Sequence, residues 1–195
     1  MFSGIITHTT KVKRHQKSKT GLKVTFKKPA DWSNFKLGES VSTNGVCLTV
    51  SGIRSNEYDC HLVSETLGKS TFGEKVPSEV SLERSLSAQD RIGGHFVLGH
   101  VDEVGAVTKI DKTKDWRVYI KFSSKNKNLV VNKGSIAIDG VALTIAEVKN
   151  SLFSVTLVPY TLNHTTLGSL QVGSKVNLEF DIIGKYVTKV MESRE

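Results

Sequence analysis

GESVSTNGVCLTV, residues 38–50, returns as KGSIAIDGVALTI, residues 133–145, with turn and strand positions in the same order. The two stretches lie 95 positions apart, as Gly45 and Gly140 do. The same register matches Gly4 to Gly99, Tyr58 to Phe153, Val63 to Val158, Thr66 to Thr161 and Gly73 to Gly168. So many matches at one spacing identify a tandem duplication of a unit of roughly 95 residues, the size of a small domain with one modest core. The copies differ where chemistry is concerned. Cys47 stands opposite Ala142, and His100 stands opposite Ile5, so each copy holds one reactive side chain that the other lacks.

Within each copy, short alternating or β-branched runs are separated by Gly, Asn and Ser, the pattern of antiparallel β-structure. Strands are expected at residues 2–12, 22–26, 40–43, 46–53, 58–63 and 80–84, and again at 99–109, 116–122, 135–138, 141–148, 153–158 and 175–180. Six short strands expose two edges as an open sheet and none as a closed barrel, so the expected fold is all-β, two tandem six-stranded Greek-key barrels. Asn44-Gly45 and Asp139-Gly140 fall between strands, where an Asx-Gly pair supplies the positive φ angles of a tight hairpin. The expected units are residues 1–97, 98–182 and a terminal helix over 183–195. In that helix Ile183, Tyr186, Val187, Val190 and Met191 share one face. A stripe on so short a helix needs a partner, either its own barrel or copies of itself.

The bulk composition, 38% hydrophobic and 24% charged, is that of a globular chain in water, and no apolar run approaches the roughly 18 residues of a membrane helix. The N-terminus lacks a basic region followed by a long apolar stretch, which predicts no secretory signal. Two cysteines, Cys47 and Cys60, make no disulfide framework, and a reducing, cytoplasmic setting is expected. The net charge of +8 and the cluster Lys11, Lys13, Arg14, Lys17 and Lys19 raise nucleic-acid binding. The cluster runs into the turn Thr20-Gly21, however, and reads as a solvated hairpin tip without aromatic platforms, so no nucleic-acid partner and no membrane partner is expected.

Cys47 lies on a strand among the polar residues Ser42, Asn44 and Thr49, and Ala142 at the duplicate position indicates that the fold does not require sulfur there. Cys60 alternates with Tyr58 and Leu62 and reads as core. His95 and His100 lie in GGHFVLGHVD, residues 93–102, where glycines allow close backbone approach and an imidazole can exchange a proton near neutrality. His-x4-His has no third ligand at suitable spacing, so no metal is expected. His8, His15, His61 and His164 read as loop or surface residues. The stretches His61, Leu62, Val63, Ser64, Glu65, Thr66 and Thr156, Leu157, Val158, Pro159, Tyr160, Thr161 each leave a strand beside a barrel edge. They offer backbone groups and hydroxyls suited to a polar heterocycle. No phosphate loop, dinucleotide fingerprint or serine-nucleophile elbow is present.

The chain resembles the riboflavin synthase family almost end to end. The resemblance rests on MFSGII (1–6), NGVCLTV (44–50), Glu65-Thr66, LER (82–84), GGH (93–95), GHVD (99–102), IDGV (138–141), Leu143-Thr144 and TTLG (165–168). It implies conversion of two molecules of 6,7-dimethyl-8-ribityllumazine into riboflavin and 5-amino-6-(ribitylamino)uracil by transfer of a four-carbon unit, a transferase reaction with no cofactor. It also implies one lumazine site per barrel, a C-terminal helix that joins three chains into a homotrimer, and catalysis where the N-terminal barrel of one chain faces the C-terminal barrel of a neighbour. By the family's pattern, Gly4, Ile5, Ile6, Cys47, Leu48, Thr49 and residues 61–66 serve the first site. Gly99, His100, Val101, Lys133, Ala142, Leu143, Thr144 and residues 156–161 serve the second. The resemblance makes Cys47 a nucleophile or proton relay, His100 a base for an acidic methyl group, and Asp139 a positioning group among the catalytic set. The family often has serine at the place of Ala142 and His or Glu at the place of Tyr160. A related non-catalytic branch, the lumazine and yellow fluorescent proteins of luminous bacteria, uses the same two barrels as a chromophore carrier. That branch tends to lose the histidine-rich stretch, whereas Cys47 and His100 are both present here.

Overall fold

Alternation at period two builds the barrel walls. Along residues 46–51, Val46, Leu48 and Val50 are buried while Thr49 and Ser51 face outward and Cys47 is half-buried. A computed structural model describes residues 1–193. Its first barrel comprises β1 (His8–Ser18), β2 (Gly21–Lys27), β3 (Ser40–Thr43), β4 (Val46–Ile53), β5 (Glu57–Leu62) and β6 (Glu79–Arg84). The second comprises β7 (Glu103–Asp111), β8 (Trp116–Lys121), β9 (Ser135–Ile138), β10 (Val141–Lys149), β11 (Leu152–Leu157) and β12 (Lys175–Phe180). The first closes in the order β1-β2-β5-β4-β3-β6 and the second in the equivalent order β7-β8-β11-β10-β9-β12, so the duplication seen in the sequence is a duplication of topology. Even the bulges repeat. Register slips at Val12/Arg14 and Val50/Gly52 recur at Val107/Lys109 and Ile145/Glu147, where they bend the strands round a small barrel.

Each barrel has its own core. Phe26 stacks on Tyr58 at 5.2 Å in the first, and Phe122, Phe153 and Phe180 pack together in the second. Burying one such side chain contributes about 1.5–3 kcal/mol. At the hairpins, Asn44 and Gly45 have φ of 45° and 77°, and Asp139 and Gly140 have 46° and 82°, the conformation that the Asx-Gly pairs predict.

The first strand of each copy differs from expectation. It begins at His8 and at Glu103, not at residues 2 and 99, and the leading segments cross between barrels. Phe2 donates its N–H to the Val97 carbonyl at 2.7 Å and accepts from the Val97 N–H at 3.1 Å. Ile6 is buried in the core of the second barrel, while Val101 packs on the core of the first. Gly4 and Gly99, with φ of 77° and 76°, turn the chain out of an extended path that the surrounding apolar alternation imitates.

Three short α-helices were not expected from the sequence, α1 (Ser64–Lys69), α2 (Thr71–Glu74) and α3 (Pro159–His164), nor were the 3-10 turns Ser124–Leu129 and Thr166–Ser169. At one turn or so they are too short to show a 3.6-residue period. The terminal helix α4 (Ile182–Glu192) starts one residue before its expected position. Residues 194 and 195 of the expected span lie outside the described residues. The Asp181 side chain caps α4 by accepting from the Ile183 N–H at 3.0 Å, and Lys185 pairs with Asp102 at 2.7 Å. Its stripe Ile183, Tyr186, Val187, Val190 and Met191 is exposed, so it does not pack on its own barrel. Among the described residues no helix is long and apolar enough to cross a membrane.

Candidate active site

Two buried carboxylates organise the crossing segments. Glu83 on β6 accepts from the Ser3 N–H and Oγ–H, both at 2.7 Å, and from the Gly4 N–H at 2.9 Å. Glu179 on β12 accepts from the N–H groups of Leu98 (2.6 Å), Gly99 (2.8 Å) and His100 (3.1 Å). Burial raises both carboxyls above the ordinary glutamate value, opposed by these same N–H donors. Each segment so gripped by one barrel then bonds to the other. The Cys47 N–H donates to the Gly99 carbonyl and the Ala142 N–H to the Gly4 carbonyl, each at 2.8 Å. The contacts leave no room for a side chain: a Cβ on Gly99 would lie 2.6 Å from the Cys47 Cβ, and one on Gly4 would lie 2.5 Å from the Ala142 Cβ.

The crossing corrects the expected grouping of residues. Cys47 does not share a site with Gly4, Ile5 and Ile6; its neighbours are Gly99, His100 and Val101. Together with Val46, Glu65, Thr66, Lys69 and Ser70 these line a pocket of about 230 Å³ on the outer face of the first barrel. Cys47 and His100, whose duplicate positions hold Ala142 and Ile5, therefore line one pocket. Helix α1 forms its rim, where Glu65 and Lys69 pair at 3.4 Å and both are exposed. A thiol and an imidazole lining one pocket, with an ion pair at the mouth, can exchange protons with a bound heterocycle and hold its polar edge.

The duplicate position on the second barrel has different chemistry. Gly4 and Ile5 stand beside Ala142, and α3 replaces α1 at the rim. Where α1 carries Glu65 and Lys69, α3 carries Tyr160 and His164, whose rings stack at 4.0 Å and 15°, with His164 Nδ1 2.8 Å from the Tyr160 carbonyl oxygen. Ile5, Val158 and Tyr160 are 46%, 55% and 65% exposed, so this face presents apolar surface to whatever covers it.

The other sequence candidates fall into three groups. Ile6, Leu48, Leu62 and Leu157 point into barrel cores, so only their backbone can meet a ligand, and Leu143 is half-buried against the second core. Thr49, Val63, Ser64, Thr144 and Pro159 lie on exposed outer surface, and Thr156 and Thr161 are half-buried; the Thr161 carbonyl accepts from Thr165 Oγ1 at 2.7 Å. His61 Nε2 is spent on Thr20 Oγ1 at 3.2 Å. Lys133 is exposed in the turn before β9, with φ of 66° at the place of Gly38. Asp139 lines a crevice between the barrels instead of the Cys47 pocket, and its Oδ1 accepts from the Asn177 N–H at 2.8 Å. Burial pushes its carboxyl up to about 7. Sequence reasoning missed Val46, Lys69 and Ser70 in the pocket and Glu179 behind His100. Glu179 was findable, because Glu83 and Glu179 occupy corresponding strands of the two copies.

Comparison with known proteins agrees with this architecture. The family model described as Lumazine binding domain matches residues 3–85 and again 98–181. A riboflavin synthase of Actinobacillus pleuropneumoniae is 39% identical over 193 residues, spanning 98% of this chain and 90% of that protein. One from Mycobacterium tuberculosis (strain ATCC 25618 / H37Rv) is 37% identical over 199 residues, spanning 99% of each. Among solved structures, LumP complexed with 6,7-dimethyl-8-(1'-D-ribityl) lumazine superposes with a TM-score of 0.82 at 26% identity, covering 92% of this chain and 99% of that one. LumP complexed with riboflavin superposes with a TM-score of 0.83 at the same identity and coverage.

Proposed function

Because this chain belongs to the riboflavin synthase family, enzymes built from two lumazine binding domains, we propose that it converts two molecules of 6,7-dimethyl-8-ribityllumazine into riboflavin and 5-amino-6-(ribitylamino)uracil. One lumazine gives up a four-carbon unit and the other receives it. The two products together contain every atom of the two substrates, so no outside donor or oxidant enters the balance. The observation that carries the reading is that Cys47 and His100, whose duplicate positions hold Ala142 and Ile5, line one pocket. In this scheme His100 takes a proton from the acidic methyl group of a lumazine, and Cys47 acts as nucleophile or proton relay on the same heterocycle. Gly99 and Glu179 position them by fixing the backbone.

Two like substrates call for two like pockets held face to face, and orientation alone is worth roughly 7–11 kcal/mol. The Cys47 pocket, at about 230 Å³, lies below the ~300–1,000 Å³ of a complete small-molecule site, which supports its completion by a second chain. The exposed stripe of α4 supports assembly through that helix, and we assign a homotrimer in which the first barrel of one chain meets the second barrel of the next.

The likeness to the LumP complexes favours one other reading, a carrier that binds lumazine or flavin without turnover. Incubation of the purified protein with the lumazine alone separates the two. Riboflavin accumulating with one uracil product per riboflavin supports the enzyme. Tight fluorescent binding without product supports the carrier.

A further inference from the structure

The turn that delivers Cys47 to its pocket presents its other end, Asn44, to a larger crevice of about 960 Å³ between the barrels. Its inner surface follows the internal duplication. Asn44 corresponds to Asp139 and Thr71 to Thr166, and all four line the crevice, beside the point where Gly45 and Gly140 meet. Asn44 and Asp139 are each only 6% exposed. Each spends one side-chain oxygen on a backbone N–H, that of Ser81 at 2.7 Å and that of Asn177 at 2.8 Å. The second polar atom of each, Asn44 Nδ2 and Asp139 Oδ2, has no hydrogen-bond partner among the described residues. A donor and an acceptor, on two residues each more than nine-tenths buried, are thus left without a protein partner along one crevice.

The walls are not symmetric. Lys13 and His15 of β1, with Lys75, stand on one side, and Ser169, Ser174 and Lys175 on the other. Lys13, Lys75 and Lys175 take part in no ion pair among the described residues, whereas Arg14 is held by Glu57 at 2.8 Å. Glu74 and Glu79 complete the rim. An amide, carboxylates and hydroxyls lining one crevice match vicinal hydroxyl groups, each of which both donates and accepts. Unpaired lysines match a compact anion, for which an ammonium is a good point-charge partner.

We propose that this crevice is a second binding site, distinct from the Cys47 pocket, for a phosphorylated polyol: hydroxyls on Asn44 and Asp139, phosphate between Lys75 and Lys175.

Titration of the ¹⁵N-labelled full chain with sorbitol 6-phosphate tests it. The expected result is saturable shifts of the amide signals of Asn44, Thr71, Asp139 and residues 169–175, with little change at residues 99–101. Sorbitol and inorganic phosphate alone should each bind at least ~10-fold more weakly, since each satisfies half of the site. The double variant Lys75→Ser/Lys175→Ser, which alters exposed side chains only, should weaken sorbitol 6-phosphate by at least ~10-fold while the remaining signals report an intact fold. Shifts confined to residues 65–70 and 99–101 would overturn the proposal, as would equal affinity for inorganic phosphate or unchanged affinity in the double variant.

Discussion

Replacing Asp139 by asparagine is expected to stabilise the protein, and to do so more strongly as pH rises. The duplicate shows that an amide fits. Asn44 occupies the corresponding turn with φ of 45° against 46° for Asp139, and its Oδ1 accepts from the Ser81 N–H at 2.7 Å where Asp139 accepts from Asn177 at 2.8 Å. Burial pushes the Asp139 carboxyl from its ordinary value of 3.8 to about 7. Since the folded value is raised, the folded state holds a proton that the unfolded chain releases. Stability from this group is therefore full below pH ~4, declines through the window up to about 7, and stays at its minimum above that. Every tenfold difference in proton affinity between the folded and unfolded chain is worth about 1.4 kcal/mol, so the wild type carries a penalty of about 2 kcal/mol at pH 5 and about 4 kcal/mol at pH 9. Asparagine does not ionise and escapes it. Urea unfolding followed by the fluorescence of Trp32 and Trp116, at one fixed protein concentration, gives the two stabilities at each pH. The advantage of Asp139→Asn should grow by about 2–3 kcal/mol between pH 5 and pH 9. An advantage that does not change with pH, or a wild type that is the more stable at pH 9, would refute the reasoning.

Three further outcomes follow from the geometry of the crossing segments and the terminal helix. Cys47→Ser and His100→Gln should each lower kcat more than they raise KM, as expected of groups acting in the transition state; steady-state rates equal to wild type in either folded variant would remove that residue from the mechanism. Gly99→Ala forces a side chain into the left-handed region and against Cys47, and should cost about 3 kcal/mol or more. Gly38→Ala has a similar φ of 80° but no atom within 4 Å of its new Cβ, and should cost only about 1–2 kcal/mol. Thermal unfolding of the pair separates the contact from the backbone strain, and equal losses would show that the Cys47 contact is irrelevant. Deleting the chain from Ile183 onward should leave folded, lumazine-binding monomers with little synthase activity. Sedimentation and the riboflavin assay check this, and a fully active monomer would mean that the two pockets meet within one chain.

The barrels were legible because their determinants are local. Val46, Leu48 and Val50 alternate inward within a single strand, and Asn44-Gly45 and Asp139-Gly140 set hairpins from two residues each. The shared register then carried whatever held for one copy over to the other, and it marked Cys47 and His100 as the positions worth asking about. Helices α1, α2 and α3 escaped notice because four to six residues are too few to display a helical period. What the tertiary structure alone decided is which residues meet. Residues 1–7 and 99–102 read locally as ordinary strand beginnings, and nothing in their own pattern says that each leaves its barrel for the other. Glu83 and Glu179, carboxylates about 80 positions away in the chain, anchor each segment to its own barrel, and the Ala142 and Cys47 N–H groups then tie it to the other. The same crossing brings His100 to Cys47, leaves Ile5 beside Ala142, and buries Asp139 beside Asn44. Side-chain pairings of this kind depend on distances across two folded barrels, and a linear pattern holds no record of them.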